Sequence, residues 1–354
     1  MISNSAIRNN AKAFAIPALL VLLIMVFIAS LGIGAVKISA MEIIRLFLNN
    51  MGLINAEVEE VKEIVLYDIR LPRLIQTTLI GAALGISGAA LQGIFRNPLV
   101  EPGLIGVSGG AAVGAVVVII FGGYIAAPIQ NLLGAYMLPV FAFAGSLIAT
   151  MTVYYIAKSV SKTNVTLLIL AGVAIMALCQ ALIGLSIFYA DDNQIRTYNF
   201  WILGDLSSGT WEKIITTAPL IIAPVILILR YDRALNAISI GEAEAYHMGV
   251  DVERVKYLII ILSALAVGTA VSLAGIIAFI GLVIPHVIRL AFGPNHKIVL
   301  AGSALGGGIL LIVADIIART VVTPAELPIG IVTAMIGTPF FIYLLISSKK
   351  KKMI

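Results

Sequence analysis

YLIIILSALAVGTAVSLAGIIAFIGLVIPHVIRLAF, from Tyr257 to Phe292, is apolar almost throughout. As one helix rising 1.5 Å per residue it would run roughly 50 Å, well beyond a bilayer core of about 30 Å. The stretch must therefore break. Gly281 and Pro285 are expected to supply the break, because proline removes a backbone donor and clashes with the preceding turn. A full spanning helix followed by a short one is the resulting expectation.

Outward from this stretch, apolar runs of spanning length recur at about 13–36, 74–95, 103–127, 132–157, 165–190, 214–229, 298–322 and 328–347. With the split, the chain makes about ten crossings. Parity agrees. Arg8 and Lys12 near the start, and Lys349, Lys350, Lys351 and Lys352 near the end, both favour the cytoplasmic side, which requires an even number of crossings. Ala13 to Val36 is longer than a signal-peptide core and has no clear cleavage site, so it reads as a retained first helix. The expected fold is an all-α polytopic membrane protein, a single transmembrane domain over residues 1–354.

Composition leads the same way. Hydrophobic residues make up 60% and charged residues 12% of the chain, and the mean hydropathy is +1.08, which excludes a soluble domain. The formal charge of +5 lies scattered over short loops, so topology rather than a nucleic-acid partner explains it. The lone Cys179 can form neither an internal disulfide nor a cysteine-based metal site. On this topology Lys37 to Asp68 is external, its Glu57, Glu59, Glu60 and Glu63 suiting a solvated surface helix. Arg96–Pro102, Ala157–Asn164, Arg230–Lys256 and Gly293–Lys297 are cytoplasmic, and Asp191–Trp211 and Thr323–Pro328 are outside.

Several chemistries are excluded. No Gly-Lys dipeptide occurs, so there is no phosphate-binding loop and any ATP and Mg must be held by another chain. His247, His286 and His296 form no close metal-ligand pair, and no paired catalytic groups are present, so neither a metal site nor an enzyme is expected. Asp315 precedes Arg319 by four residues and reads as an ion pair on one helix face rather than a proton relay. Glycines at four-residue spacing, Gly81 and Gly85, Gly106, Gly110 and Gly114, Gly302 and Gly306, suit close helix packing or the lining of a wide path.

Four segments carry a resemblance. They are Arg70-Leu-Pro-Arg73, the loop GIFRNPLVEPGLIGVSGG from Gly93 to Gly110, GLVIPHVIR from Gly281 to Arg289, and PAELPIGIVTAMIGTPF from Pro324 to Phe340. Together they resemble the FecCD-type permeases of binding-protein-dependent ABC importers for iron siderophores, haem and cobalamin, from about residue 65 to the C-terminus.

The resemblance implies the type II ABC importer permease fold and a homodimer in the bacterial inner membrane with both termini cytoplasmic. It also implies two ATP-binding cassette subunits and a periplasmic or lipid-anchored substrate-binding protein. Arg70, Arg73 and Arg319 match positions that dock the binding protein, a role preferred here over snorkelling to lipid headgroups. Gly241, Glu242, Glu244, His247 and Gly249, within a cytoplasmic region at about 236–256, resemble the coupling helix that meets the ATPase. Asn97 and Leu99, with Ser161, Lys162, Thr163 and Asn164, resemble the cytoplasmic gate, though ordinary turn chemistry also explains them.

Arg96, the run from Glu101 to Ser108, Phe200-Trp201-Ile-Leu-Gly and Thr320 to Glu326 look most like haem permeases, with siderophore or cobalamin as the alternatives. A competing class is an ion-coupled secondary carrier, which would have no use for a docking helix in the Arg230–Lys256 loop.

Overall fold

The computed structural model describes residues 2–54, 59–125, 127–158 and 163–351, with side chains described from 14 to 343 and at 346. Ser161 and Lys162, Glu57 and Lys352 lie outside the described residues. The elements are α1 (Ile2–Gly32), α2 (Ala40–Asn50), α3 (Glu60–Ile64), α4 (Leu71–Phe95), α5 (Val107–Phe121), α6 (Ala127–Leu133), α7 (Met137–Ala157) and α8 (Val165–Phe188). They continue with α9 (Asp192–Ile202), α10 (Trp211–Leu229), α11 (Asp232–Ile240), α12 (Glu242–His247), α13 (Val252–Ala274), α14 (Ile280–Phe292), α15 (His296–Thr320) and α16 (Ile329–Lys351). The fold is all-α. Eight helical stretches are long and apolar enough to cross a membrane, and the cores of α14 and α16 form two shorter apolar helices.

The expected split is present, but in another place. α13 ends at Ala274 and α14 begins at Ile280, so the break is Gly275–Phe279 rather than Gly281 and Pro285. Gly275 turns the chain with φ 71°, where it carries no Cβ penalty, and a Cβ there would strike the Trp201 carbonyl. Pro285 lies inside α14. The carbonyl its missing N–H abandons, that of Gly281, accepts a bond from Gln92 Nε2 of α4 at 3.1 Å, which lets the helix run through the proline.

α4 is the axis of the bundle, buried on nearly every side and packed against α15, α13, α14 and α10. Gly81 and Gly85 let it meet the backbone of α15 at Gly307 and Ser303, while Gly302 and Gly306 receive Ile288 and Ile284 of α14. Gly110 and Gly114 do the same for α5 against Gly145 and Phe141 of α7. Lipid offers no hydrophobic drive between helices, so this backbone approach is what holds them together.

The stretch Lys37–Asp68, expected as one surface helix, is instead α2, α3 and a π-helical turn, Val65–Arg70, that runs straight into α4. α2 begins with a capping box between Ser39 and Glu42 and buries Ile43 and Leu46 against Leu31, Leu66, Leu74 and Ile312. These elements share one end of the bundle with the starts of α4 and α10 and the end of α15, since Trp211 Nε1 donates to the Tyr67 carbonyl at 2.9 Å and Arg319 donates to Ser30 Oγ. α11, α12 and Thr163, just before α8, lie at the opposite end, with the starts of α13 and α15.

Candidate functional sites at the two ends of the bundle

At the first end the three predicted arginines come together, and all three are buried. Arg70, in the π-helical turn, donates to the carbonyls of Leu31 and Val36, where α1 ends. Arg73, one turn into α4, donates through Nε and Nη2 to Asp315 Oδ1 at 3.0 and 2.7 Å. Its Nη1 and Nη2 also clasp Glu326 at 3.1 and 2.8 Å. Arg319 donates to Ser30 Oγ at 2.7 Å and to the Ile33 carbonyl at 3.2 Å, and its Nε lies 3.0 Å from Asp315 Oδ2 without hydrogen-bond alignment.

Asp315, fully buried on α15, is thus shared by two guanidinium groups, and the i, i+4 pair expected from the sequence is one half of a larger network. The guanidinium donors face inward. Glu326, 41% exposed, is the member that meets solvent. Beside the network a cavity of 540 Å³ is lined by Phe200, Trp201, Asp205, Lys213 and Glu326 among others, and among the described residues no histidine, tyrosine, cysteine or methionine lines it.

At the second end α12 projects as a single amphipathic turn. Ala245 is fully buried and anchors it, whereas Glu244, Tyr246 and His247 are exposed. Gly241, in extended conformation, opens α12, and Gly249, at φ 82°, reverses the chain after it. Glu242 turns back toward the bundle and binds Lys256 Nζ at 2.8 Å. A cleft of 840 Å³ runs along this turn, walled by Glu242, Ala243, Tyr246, His247 and Glu253.

Of the residues predicted for a gate, Asn97 and Leu99 lie at this same end after α4, and Thr163 and Asn164 lie there before α8. Asn97 accepts from Leu99 N at 3.0 Å, closing the turn after α4, and Leu99 is 45% exposed. Gln92 bonds the Val100 carbonyl at 3.1 Å as well as that of Gly281, and its own oxygen accepts from Arg289, so the 96–102 loop is stapled to α14. Asn164 caps α8 by accepting from the amides of Thr166 and Leu167. Thr163 is buried and its N–H donates to Glu253 Oε2 at 2.7 Å.

Sequence reasoning missed three groups: Glu326 as the partner of Arg73, the Gln92–Arg289 staple, and Lys256 with Glu253. For Lys256 a signal existed. An ammonium at the very edge of the apolar run that starts at Tyr257 needs a partner, and Glu253 stands one turn before it. Among the described residues no group of three or more His, Cys, Asp or Glu side chains is placed to hold a metal.

Comparison with known proteins agrees with this architecture. The pattern of the FecCD transport family matches residues 22–347. The hemin transport system permease protein HmuU of Yersinia pestis is 38% identical over 336 residues, 94% of this chain and 96% of that protein. The cobalamin import system permease protein BtuC of Halobacterium salinarum is 41% identical over 288 residues, 81% of this chain and 75% of that one. A solved inward-facing conformation of a metal-chelate type ABC transporter superposes with a TM-score of 0.80 at 31% identity, covering 94% of this chain and 98% of that one.

Proposed function

This chain belongs to the FecCD transport family, as a multi-pass permease subunit of an ABC importer and not a catalyst, and from that premise we propose that it carries haem across the inner membrane. The observation that carries haem over cobalamin is the reach of the similarity, end to end with the hemin permease but over 81% of this chain with the cobalamin permeases. The cavity wall without iron-ligating side chains supports a conduit from which the substrate can leave.

In this reading the second end faces the cytoplasm. It carries the starts of α1 and the end of α16, with Arg8, Lys12, Lys349, Lys350 and Lys351, and the exposed Arg96, Lys158, Arg230, Arg233, Arg254 and Lys297, as the bias of cations toward the cytoplasm requires. α12 and its cleft are the surface for a partner ATPase, which binds ATP and Mg. A second copy of the chain packs on α8, where Ala174, Ala177, Ala181, Gly184 and Gln180 are exposed; lipid would not solvate that glutamine amide.

A binding protein docks at the other end. Its carboxylates can reach Arg73 by displacing Glu326, the partner already open to solvent.

The test is ATP-driven uptake into liposomes holding this chain with the ATPase and binding protein that accompany it. Hemin uptake that neither cobalamin nor a ferric siderophore reduces is the expected result. Uptake of a competitor in place of hemin would keep the importer and replace its substrate.

A further inference from the structure

Lys256 is the largest fully buried side chain at the second end, with 1% of it exposed, and it touches three elements at once. Its Nζ bonds Glu242 Oε2 of α12 at 2.8 Å, Glu253 Oε1 of its own helix at 3.2 Å and the Thr163 carbonyl at 3.2 Å. Glu253 closes the ring by accepting from Thr163 N through its second oxygen. Both carboxylates are 35% exposed, so water reaches the rim of the ring and not its centre.

An ammonium has three donors, and here each has its own acceptor. If α12 shifts, the Glu242 bond stretches. A buried ammonium cannot stay short of a partner without a cost of kcal/mol size, so the lysine must follow or the ring must reorganise. Either response pulls on Thr163, just before α8. Apolar contacts slide, but a charge-assisted bond of 2.8 Å does not stretch far, so this ring is a stiff tie between α12 and Thr163.

We propose that Lys256 is a positioning residue that transmits displacement of α12 to Thr163 and the start of α8, coupling a partner's ATP cycle to the cytoplasmic end of the bundle. The proposal rests on the importer reading above.

The experiment uses the reconstituted complex of permease, ATPase and binding protein, and reads hemin imported per ATP hydrolysed for wild type, Lys256→Met, Lys256→Arg and Glu242→Gln. Lys256→Met should lower that ratio by about tenfold while the ATPase still co-purifies with the permease in the wild-type proportion. Lys256→Arg, which keeps a buried multi-donor cation, should restore most of it.

A ratio unchanged in Lys256→Met overturns the proposal, and so does loss of hydrolysis and uptake in equal measure, which marks a merely structural lysine. Should Lys256→Met fail to assemble, Glu242→Gln takes the charge out of the 2.8 Å bond and weakens it, and ATPase co-purifying in the wild-type proportion separates that loss from a loss of docking. A drop of about threefold supports the tie, and no drop overturns it. A wild-type complex that hydrolyses ATP and moves neither hemin, cobalamin nor a ferric siderophore overturns the importer reading itself, and the wild-type arm tells that failure apart from failure of the tie.

Discussion

The two ends of the bundle solve the same electrostatic problem with opposite signs. At one, a fully buried carboxylate, Asp315, is shared by two buried guanidinium groups; at the other, a fully buried ammonium, Lys256, is shared by two half-exposed carboxylates. The difference lies in where the solvent stands. Removing the centre of the first network leaves the buried Arg319 without its carboxylate and Arg73 with Glu326 alone. Removing the centre of the second leaves two carboxylates that water can hydrate. The first arrangement fixes α1, α4 and α15 together, and the second ties α12 and α13 to Thr163.

The largest effect expected is that of Asp315→Asn. With Arg73 and Arg319 left facing each other, the chain should lose about 3 kcal/mol, measured by reversible SDS unfolding in mixed micelles. A loss under about 1 kcal/mol would mean that water already reaches the network and would erase the contrast between the ends.

Arg70→Met comes next, since it strips the Leu31 and Val36 carbonyls of a charged donor, and about 2 kcal/mol should go in the same assay. Lys256→Met should cost less, about 1 kcal/mol, because its former partners are hydrated at once. Salt sharpens the comparison. Raising ionic strength should narrow the gap between Lys256→Met and wild type and leave that of Asp315→Asn in place, because screening acts on the exposed pairs.

The smallest effect is that of Glu42, whose carboxyl is held down at about 2 by the Ser39 N–H, then by Lys62 and the Ser39 hydroxyl. A carboxyl depressed in the folded state stabilises it above the unfolded value near 4.5 and loses that contribution as pH falls toward about 2. Glu42→Gln should therefore unfold slightly earlier than wild type at pH 6, with the gap closing as pH drops through that window. A gap that stays constant down to pH 2 would show that the capping box of α2 does not depend on the charge.

Much of this was legible in the residues. The Tyr257–Phe292 run is too long for one crossing, and that alone demands a break and yields about ten crossings. It did not reveal where the break falls, because proline inside a helix is tolerated once another group takes the abandoned carbonyl. That group is Gln92, far away in sequence. The pairing of Asp315 with Arg319 was visible at i, i+4, but its second cation, Arg73, was not, since nothing local links residues so far apart. Arg70, Arg73 and Arg319 were expected at the docking face; the structure brings them to one end and turns their donors inward.

What the sequence by itself determined is what depends on counting: an all-helical chain of spanning segments, with its membership of a permease family carried by local motifs. Hydrophobic length and charge bias act segment by segment, so they can be read without knowing what packs on what. Only the tertiary structure decided which buried charge answers which, that Glu326 stands between Arg73 and solvent, and that Lys256 ties α12 to the turn at Thr163. A charge in an apolar span announces that it needs a partner. The identity of that partner is set by helix packing, where glycines on α4 and α15 bring distant residues within hydrogen-bond reach.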